Sequence, residues 1–377
     1  MKADCRLSSL SLYSELLPGN DLVKEVASEA GAVAIERWRC TEALVERASG
    51  KRVRIYAHRQ DANPATGSFK DLAGASVAAG LKRHGVSRYC CASTGNIGVA
   101  FARFLRKAGI LFTAFLPSES SKEQEAEIRA FGQRVFRARG NYAQAKKEAA
   151  AHAVKEGDLL AAGTTDPLRV EAKRTMAFEW KRLMPEAPTR YVQALSGGTG
   201  PIGIAKGMED LAEAGLVHAA TDVSLDLIQP SGCAPMVHSY HRASRAGFPS
   251  GWEQDFDVIT QPQTSIMTLS TGVPDAYPVL APLVRSTGGG FYAVEERLLA
   301  IVARWVAEQE QCRVGPAAAV AVAGLLKHQK TMLNDGDVVV VNVGEGVRRF
   351  PKFGIVVGDV CASSEHLEKQ LADILEL

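Results

Sequence analysis

The sequence predicts an α/β protein in which mostly parallel sheets are covered by helices on both faces. Apolar runs typical of buried strands alternate along the chain with alanine-rich, amphipathic helical patterns, and this alternation favours parallel sheets with helical crossovers. The length of 377 residues predicts about two domains at roughly 150 residues each. The strand candidates are 88–92, 111–116, 134–137, 191–195, 225–229 and 338–343.

The composition narrows the class of function only slightly. Hydrophobic residues make up 46% of the chain, which suits a large buried core. The formal net charge is +2, with acids and bases interspersed, so nothing predicts nucleic acid or an anionic membrane as a partner. A small anionic substrate would need only local arginines.

The sequence also carries no sign of a membrane span, a secretory signal or a metal site. No stretch of about 18 consecutive apolar residues occurs, and the polar N-terminal segment lacks the apolar centre of a signal peptide. Seven cysteines are scattered without metal-ligand spacing. We therefore expect free thiols in a reducing cytoplasm and no metal.

One segment, 63–71, places a single lysine in a polar turn that opens an alanine-rich helix. It reads Asn-Pro-Ala-Thr-Gly-Ser-Phe-Lys-Asp, and its lysine is Lys70. A lysine that forms a Schiff base needs surroundings that favour the neutral amine, because only that form attacks an aldehyde. Glycine and hydroxyl residues before a helix start also provide donors for anions. The pattern predicts that Lys70 bears an aldehyde cofactor.

Two further turns have the form of anion cradles. Ala-Ser-Thr-Gly-Asn at 92–96 follows a strand candidate and precedes the helix candidate 99–107. Ser-Gly-Gly-Thr-Gly-Pro at 196–201 follows another strand candidate and precedes the helix candidate 202–211. Glycines allow a phosphate to approach the backbone closely, and the helix that follows adds a favourable dipole.

In this order, the three segments resemble threonine synthase, a fold-type II pyridoxal phosphate enzyme whose lysine motif usually reads Asn-Pro-Thr-Gly-Ser-Phe-Lys-Asp. The resemblance covers roughly residues 12–347 and extends through 229–235 and 315–319. It implies two open, twisted, mostly parallel sheets flanked by helices. It places a smaller domain, 76–172, within a larger one formed by 1–75 and 173–377. It also implies pyridoxal 5'-phosphate as cofactor and a homodimer.

The resemblance assigns roles to individual residues. Lys70 would be the catalytic base and would bind the cofactor, and Arg169 with Thr164 would bind the phosphate of the substrate. The alternative for Arg169 is an ion pair with a carboxylate such as Glu171. The other residues that the resemblance implies for cofactor binding are Phe69, Asn96, Gly197, Gly198, Thr199, Gly200 and Val343. Those that it implies for substrate binding are Ser68, Ser93, Thr94, Gly95 and Asn96.

Several positions depart from the threonine synthase pattern. The glycine loop lacks an asparagine and is more similar to that of cysteate synthase, which acts on phosphoserine. Val343 stands where the family has a threonine bonded to the pyridine nitrogen, and Asn342 is the neighbour that would have to replace it. Leu72 stands where the family has arginine. His58, just before the lysine motif, has two interpretations, a substrate contact or the commoner structural histidine.

Three functions follow as expectations. The first is conversion of O-phosphohomoserine and water into threonine and phosphate. The second is β-replacement on O-phosphoserine, with sulfite, sulfide or an amine as the nucleophile. The third is a protein that binds the cofactor or a ligand without turnover, which the loss of the pyridine partner at Val343 motivates. The first two predict a small, phosphorylated amino acid as the partner.

Overall fold

The computed structural model describes residues 9–27, 29–348, 350–354, 369 and 371–372. The two ends of the predicted large domain, 1–8 and 373–377, lie outside the described residues. Within these described ranges the chain forms ten strands: β1 Ile35–Arg37, β2 Arg54–His58, β3 Arg88–Ala92, β4 Leu111–Leu116, β5 Arg134–Arg137, β6 Leu159–Leu160, β7 Arg190–Ala194, β8 Ser224–Pro230, β9 Gly290–Val294 and β10 Val338–Asn342.

The α-helices of the described residues lie between these strands and before β1. They are α1 Ser9–Leu12, α2 Asp21–Val26, α3 Arg39–Ser49, α4 Lys70–Arg83, α5 Asn96–Ala108, α6 Lys122–Ala130, α7 Tyr142–Glu156, α8 Pro167–Leu183, α9 Thr199–Glu213, α10 Pro235–Arg245, α11 Tyr277–Ser286, α12 Leu299–Gln309 and α13 Pro316–Met332. As far as the described residues extend, no helix combines the length and apolar composition that crossing a membrane requires.

The chain divides into two compact units. The first contains the described residues up to Val33 and the segment Asn63–Met176, and the second contains Ala34–Ala62 and everything described from Ala177 onward. The predicted inserted domain, 76–172, falls within the first unit, which also includes chain on both sides of it. The predicted domain limits stay a prediction.

The first unit contains a four-stranded parallel sheet in the order β5-β4-β3-β6. Helix α4 packs closely on α5, because Gly74 has no side chain: a Cβ there would lie 2.8 Å from Ala100 Cβ. Tyr89, Phe101 and Phe112 form an aromatic cluster beside the sheet, with edge-on centroid distances of 5.4 Å and 5.8 Å from Phe101. This packing fixes the starts of α4 and α5.

The second unit contains a six-stranded sheet in the order β1-β2-β10-β7-β8-β9. Only the β1–β2 pair is antiparallel. Val339 and Val341 of the central strand β10 belong to the large hydrophobic core, together with most of α13. At Gly324 of α13 a Cβ would lie 2.4 Å from Ile228, so this helix lies close against β8. A parallel sheet buried by helices explains the valine-rich sequence of β10.

The predicted fold class is confirmed. Strands β3, β4 and β5 have the predicted limits, and β7, β8 and β10 differ from the prediction by one residue at one or both ends. Four strands were not predicted: the edge strands β1, β6 and β9, and β2 inside the larger sheet. Each has only two to five residues, and such short segments carry little periodicity.

Candidate active site

Lys70 is the first residue of α4, and hydrogen bonds to Asp71 hold the turn before it. Asp71 Oδ2 accepts from the backbone nitrogens of Ala65 at 2.8 Å and Thr66 at 3.2 Å. Asp71 Oδ1 accepts from the Thr66 hydroxyl at 2.5 Å, and that hydroxyl lies 2.8 Å from Ser68 Oγ. The turn is therefore organised around one carboxylate.

The Asp71 carboxylate is buried in the first turn of α4. Its side chain has no exposed surface, and burial raises its pKa to about 6, against the opposite effect of its hydrogen bonds. The positive end of the helix dipole also favours a negative charge there. Gly67 adopts φ +64°, which is the left-handed conformation that glycine allows at this turn. These features hold the backbone of the turn before Lys70, and so fix the position from which its side chain extends.

A second amine lies beside Lys70. Lys70 Nζ is 4.0 Å from the centroid of the Phe69 ring, and Lys173 Nζ is 5.6 Å from the same centroid. Lys173 is completely buried and donates to the backbone carbonyl of Arg169 at 2.9 Å. Burial first, then the charges of Lys70 and Arg169, hold the pKa of Lys173 well below its usual value, while Asp166 acts in the opposite direction. Sequence reasoning missed Lys173.

The second predicted turn, between β3 and α5, is stabilised by Ser93. Ser93 Oγ accepts from the backbone nitrogen of Gly98 at 3.0 Å and donates to the carbonyl of Gly95 at 3.1 Å. Gln124 of α6, which sequence reasoning also missed, donates to the same Gly95 carbonyl at 2.9 Å. Asn96 is buried at the first position of α5, and Thr94 is half-buried. Ser93 thus has a structural contribution within this turn.

Thr164 and Arg169 lie at the start of α8 in the first unit. Thr164 is half-buried in a 3-10 turn, Gly163–Thr165, and Arg169 Nη1 donates to the carbonyl of Gly163 at 2.5 Å. Asp166 Oδ1 accepts from the backbone nitrogen of Leu168 at 3.0 Å. Arg169 Nε is buried and has no hydrogen-bond partner within the described part of the chain. The Nε–H group of Arg169 is therefore available to donate a hydrogen bond to a ligand.

The glycine loop lies between β7 and α9 in the second unit. Gly198 is the N-cap of α9 with φ +88°, and a Cβ there would lie 3.1 Å from Leu280. A Cβ at Gly200 would lie 2.6 Å from Gln193 Oε1. Gly197 is half-buried and Thr199 is buried at the first position of the helix. The loop presents the backbone N–H groups of a 15-residue helix to an anion.

Strand β10 ends beside this loop in the sheet, because β10 and β7 are parallel neighbours. Val343 follows β10, and its side chain is fully buried in the hydrophobic core while its backbone nitrogen donates to the carbonyl of His58. The amide of Asn342 is buried beside Tyr191, whose pKa is raised by burial and lowered by a hydrogen bond with the Asn342 side chain. Its polar neighbour, the Tyr191 hydroxyl, donates to Gln193 at 2.6 Å.

His58 has buried polar neighbours of its own in the second unit. Its Nδ1 accepts from Trp180 Nε1 at 3.1 Å, and its Nε2 lies 2.9 Å from the Gln60 amide. Burial lowers the pKa of His58 to about 3. These contacts support the structural interpretation of this histidine.

The predicted site residues therefore fall into two groups. The first unit contains those around Lys70, the β3–α5 turn and Arg169, and its side chains bring Lys70, Phe69, Lys173 and Arg169 together. The second unit contains the glycine loop and Val343 at the carboxyl edge of its sheet. Ligands of open α/β sheets bind at such edges. In the first unit, the lysine amine suits an aldehyde and the arginine suits an anion. In the second unit, the helix N-terminus at the glycine loop suits a phosphate.

The fold and these groups define an α/β enzyme of fold-type II. Residues 41–344 match the family described as pyridoxal-phosphate dependent enzyme, and the chain belongs to that family. Its cofactor is pyridoxal 5'-phosphate.

The curated relatives with the most similar sequences include several threonine synthases. The enzyme of Bacillus sp. (strain ULM1) is 24% identical over 343 residues, which cover 90% of this chain and 89% of the relative. That of Methanosarcina acetivorans is 26% identical, with coverages of 87% and 76%.

Solved structures with related folds act on different compounds according to their names. A cysteine synthase from Entamoeba histolytica superposes with a TM-score of 0.71 at 17% identity, with coverages of 92% and 95%. A maize serine racemase gives a TM-score of 0.70 at 15% identity, with coverages of 94% and 97%. At these identities the likeness shows the fold alone.

Two observations show that the second unit suits this cofactor. The glycine loop is packed closely on Leu280 and Gln193, where a side chain at Gly198 or Gly200 would not fit, and this packing keeps the backbone N–H groups at the start of α9 in place for a phosphate. The Asn342 amide offers a buried donor and acceptor near the same edge of the sheet, beside the Tyr191 hydroxyl. The residues present therefore fit the group.

Proposed function

We propose that this enzyme eliminates phosphate from a phosphorylated amino acid and that its reaction is O-phosphohomoserine plus water to threonine plus phosphate. The observation that carries this proposal is the anion site at Arg169, where a buried guanidinium nitrogen has no hydrogen-bond partner among the described residues. The names of the relatives support the same reaction.

Lys70 has two roles in this proposal. Its amine would hold the aldehyde of the cofactor, and as a free amine it would remove the proton from the α carbon of the substrate. The cofactor, when bound, takes up the negative charge that this proton loss leaves. The turn around Asp71 fixes the backbone from which Lys70 reaches, and Ser68 and Phe69 contribute to that turn.

The start of α5 is proposed to bind the carboxylate of the substrate. Thr94, Gly95 and Asn96 offer backbone and side-chain donors at a helix N-terminus. Ser93 is proposed to assist, and its hydroxyl already fixes the turn through Gly98. A carboxylate bound there would fix the orientation of the substrate, so that its α proton faces the amine of Lys70.

Thr164 and Arg169 are proposed to bind the phosphate and to stabilise it as it leaves. A guanidinium donates two parallel hydrogen bonds to a phosphate, and a neighbouring hydroxyl adds a third donor. For O-phosphohomoserine, proton loss at the β carbon expels phosphate from the γ carbon. Protons then return to the γ carbon and the α carbon, water adds its hydroxyl at the β carbon, and the remaining proton goes to the released phosphate.

At the cofactor, we assign Gly197, Gly198, Thr199 and Gly200 to the phosphate and Asn96 to the ring hydroxyl. Val343 provides only apolar contact near the ring nitrogen, since its side chain belongs to the core. We assign the hydrogen bond to the ring nitrogen to Asn342, whose amide is buried at the end of β10.

The glycine loop favours one second candidate, β-replacement on O-phosphoserine. No side-chain amide is available in 197–201 to bind the phosphate of a longer substrate. O-phosphoserine places its phosphate one carbon nearer to the amine and needs only β-elimination before a nucleophile adds.

The experiment is mass spectrometry of the products from the purified protein loaded with pyridoxal phosphate. O-phosphohomoserine is supplied alone, and O-phosphoserine is supplied with and without sulfite, sulfide and ammonia. Threonine from the first supports the proposal. Pyruvate or a β-substituted alanine from the second establishes β-elimination or replacement instead, and no product from either contradicts both candidates and favours the non-catalytic alternative.

The assembly and location are proposals as well. A homodimer, which the resemblance implies, is tested by light scattering during size-exclusion chromatography. The described cysteines Cys40, Cys90, Cys91, Cys233 and Cys312 are free thiols. Free thiols support the proposal of a reducing, cytoplasmic location.

A further inference from the structure

Three hydrogen bonds converge on the backbone carbonyl of Gly95, in the turn that precedes α5. Two of the donors lie in the same stretch of chain, namely Ser93 Oγ at 3.1 Å and the backbone nitrogen of Gly98 at 3.2 Å. The third is the side-chain amide of Gln124, which donates from α6 at 2.9 Å. Gln124 lies 29 residues further along the chain, so this bond is a tertiary contact within the first unit.

The start of α6 directs the Gln124 side chain towards this carbonyl. Ser121 is the N-cap of α6, and its hydroxyl accepts from the backbone nitrogen of Gln124 at 3.1 Å. In a capping box, a glutamine three positions after the cap reaches back to the backbone nitrogen of the cap residue. Here the amide nitrogen of the glutamine donates to Gly95 instead. The serine therefore supports the helix, and the glutamine supports the β3–α5 turn.

Apolar packing holds α6 against the same turn. Ile128 lies four positions after Gln124, on the same face of α6, and is completely buried. A Cβ at Gly98 would lie 3.6 Å from Ile128 Cδ1 and 2.8 Å from Ser93 Oγ, so α6 and the turn both lie against the first residues of α5. Gln124 is only 3% exposed, so its amide depends on the Gly95 carbonyl rather than on water as an acceptor.

The direction of the Gly95 carbonyl sets the direction of the next N–H group. The peptide bond between Gly95 and Asn96 is planar and trans, so its C=O and N–H groups point in opposite directions. Asn96 is the first residue of α5, and the N–H groups of a helix point towards its N-terminus. Holding the Gly95 carbonyl therefore fixes an N–H group, and the base of the Asn96 side chain, at the end of the helix that attracts anions.

We propose that Gln124 is a positioning residue for the carboxylate of the substrate and that it acts through the Gly95–Asn96 peptide. The inference rests on the proposed assignment of the β3–α5 turn to that carboxylate. It adds that a residue of another helix holds the carbonyl side of the peptide, which keeps the N–H side directed at the ligand. Donors that are already in place bind an anion without first being ordered.

The test compares two ligands that differ only in the carboxylate, on the full chain loaded with pyridoxal phosphate. They are 2-amino-5-phosphonopentanoate and 4-aminobutylphosphonate, which lacks the carboxylate. Neither can lose phosphate, because a carbon replaces the bridging oxygen of O-phosphohomoserine. Calorimetry gives the ratio of the dissociation constant of the amine to that of the amino acid, which measures what the carboxylate contributes to binding. General loosening of the protein weakens the binding of both ligands alike and leaves this ratio unchanged.

Two variants of Gln124 remove the bond to Gly95 in different ways. Gln124→Met keeps the unbranched shape without the amide, and Gln124→Asn keeps an amide that is one methylene shorter. We expect the ratio to fall by about tenfold in Gln124→Met, the effect of one weakened hydrogen bond to a charged group, and to fall less in Gln124→Asn. Gln133→Met is the control, because it removes another buried glutamine of the first unit, which bonds to Phe112 and Ile110. It should lower stability and keep the wild-type ratio.

The outcomes separate this inference from the function on which it rests. A wild-type ratio that persists in Gln124→Met overturns the inference alone, and so does a ratio that falls equally in Gln133→Met. Equal dissociation constants of the two ligands in the wild type overturn the assignment of the turn to the carboxylate as well. If the wild type binds neither ligand, the proposed substrate is contradicted and the inference falls with it.

Discussion

The Asp71 carboxylate binds Thr66 twice, through its backbone nitrogen at 3.2 Å and its hydroxyl at 2.5 Å. This pair closes the turn that precedes Lys70. The position of Lys70 therefore depends on the next residue, Asp71, which holds the turn that precedes the lysine. The acid is buried, so it acts through structure and without contact with solvent.

Replacing Asp71 should loosen the lysine turn. Asp71→Ala leaves the backbone donors of Ala65 and Thr66 without an acceptor. Each unsatisfied buried donor lowers the free energy of unfolding by about 1–3 kcal/mol. We expect faster amide hydrogen exchange in peptides covering 63–83 and weaker binding of pyridoxal phosphate. Asp71→Asn retains one carbonyl oxygen, so its exchange rate and its cofactor affinity should lie between those of Asp71→Ala and the wild type. Equal exchange in all three proteins would show that the carboxylate does not organise the turn.

Gly198→Ala should weaken the binding of pyridoxal phosphate. Alanine at φ +88° is strained, costing about 1–2 kcal/mol, and its Cβ would press on Leu280 at 3.1 Å. Gly215→Ala is the matched control, because Gly215 also has positive φ, +67°, but open space around it, at the opposite end of α9. Both variants should lose stability, and only Gly198→Ala should lose cofactor affinity by equilibrium titration. Equal affinities of the two variants for pyridoxal phosphate would show that the glycine loop does not bind the cofactor.

Arg169→Met should act chiefly on the binding of a phosphorylated substrate. A lost hydrogen bond to a charged group corresponds to roughly 1.5–3 kcal/mol, or an increase in KM of about 10- to 100-fold. Arg106→Met removes the same charge from an exposed position of α5 and should leave steady-state kinetics unchanged. An unaltered KM and kcat in Arg169→Met would instead favour a purely structural arginine.

His58 should make the stability of the second unit depend on pH. Its folded-state pKa of about 3 lies below the usual 6.5, so its contribution is complete above pH 6.5 and is lost as pH falls towards 3. The limiting slope is about 1.4 kcal/mol per pH unit. Asp71 and Asp226, each with a pKa that burial raises to about 6, have the opposite effect between about 3.8 and 6. Asp71 lies in the first unit and Asp226 in the second, so the contribution of His58 is the difference between the wild type and a His58 variant.

Tryptophan fluorescence during urea unfolding measures this pH dependence. All 4 tryptophans lie in the second unit, so the signal reports on the unit that contains His58. His58→Asn keeps an acceptor near the position of Nδ1 and should remove the part of the slope that His58 contributes, leaving the contributions of Asp226 and of His328, whose pKa burial also lowers. His218→Asn changes a side chain that is 95% exposed and should retain it. If the free energy of unfolding of His58→Asn had the same dependence on pH as that of the wild type, His58 would not be its source.

The sequence was sufficient to predict most of the parallel strands and the three turns, because these depend on local pattern. The apolar run 338–341 forms most of β10, and Lys70 stands at the start of a helix, as predicted. The helix after the glycine loop begins at Thr199, three residues before the predicted start at 202. Such features require only neighbouring residues to be recognised.

The contacts that the sequence did not predict join residues far apart in the chain. Lys173 lies beside Phe69 although a hundred positions separate them, and Trp180 bonds to His58 from a similar separation. A lysine within a helical pattern normally indicates a solvated face. Only the packing of α8 shows that this one is buried.

Reduction with borohydride followed by peptide mass mapping tests the central claim, that Lys70 bears the cofactor. Borohydride fixes pyridoxal phosphate on the lysine that holds it, and Lys173 provides an internal comparison because it lies beside the same aromatic ring. We predict a single pyridoxyl phosphate label on Lys70, absent from Lys70→Ala. A label on Lys173 or another lysine in the wild-type protein, or no label after the protein has been saturated with cofactor, would contradict the account.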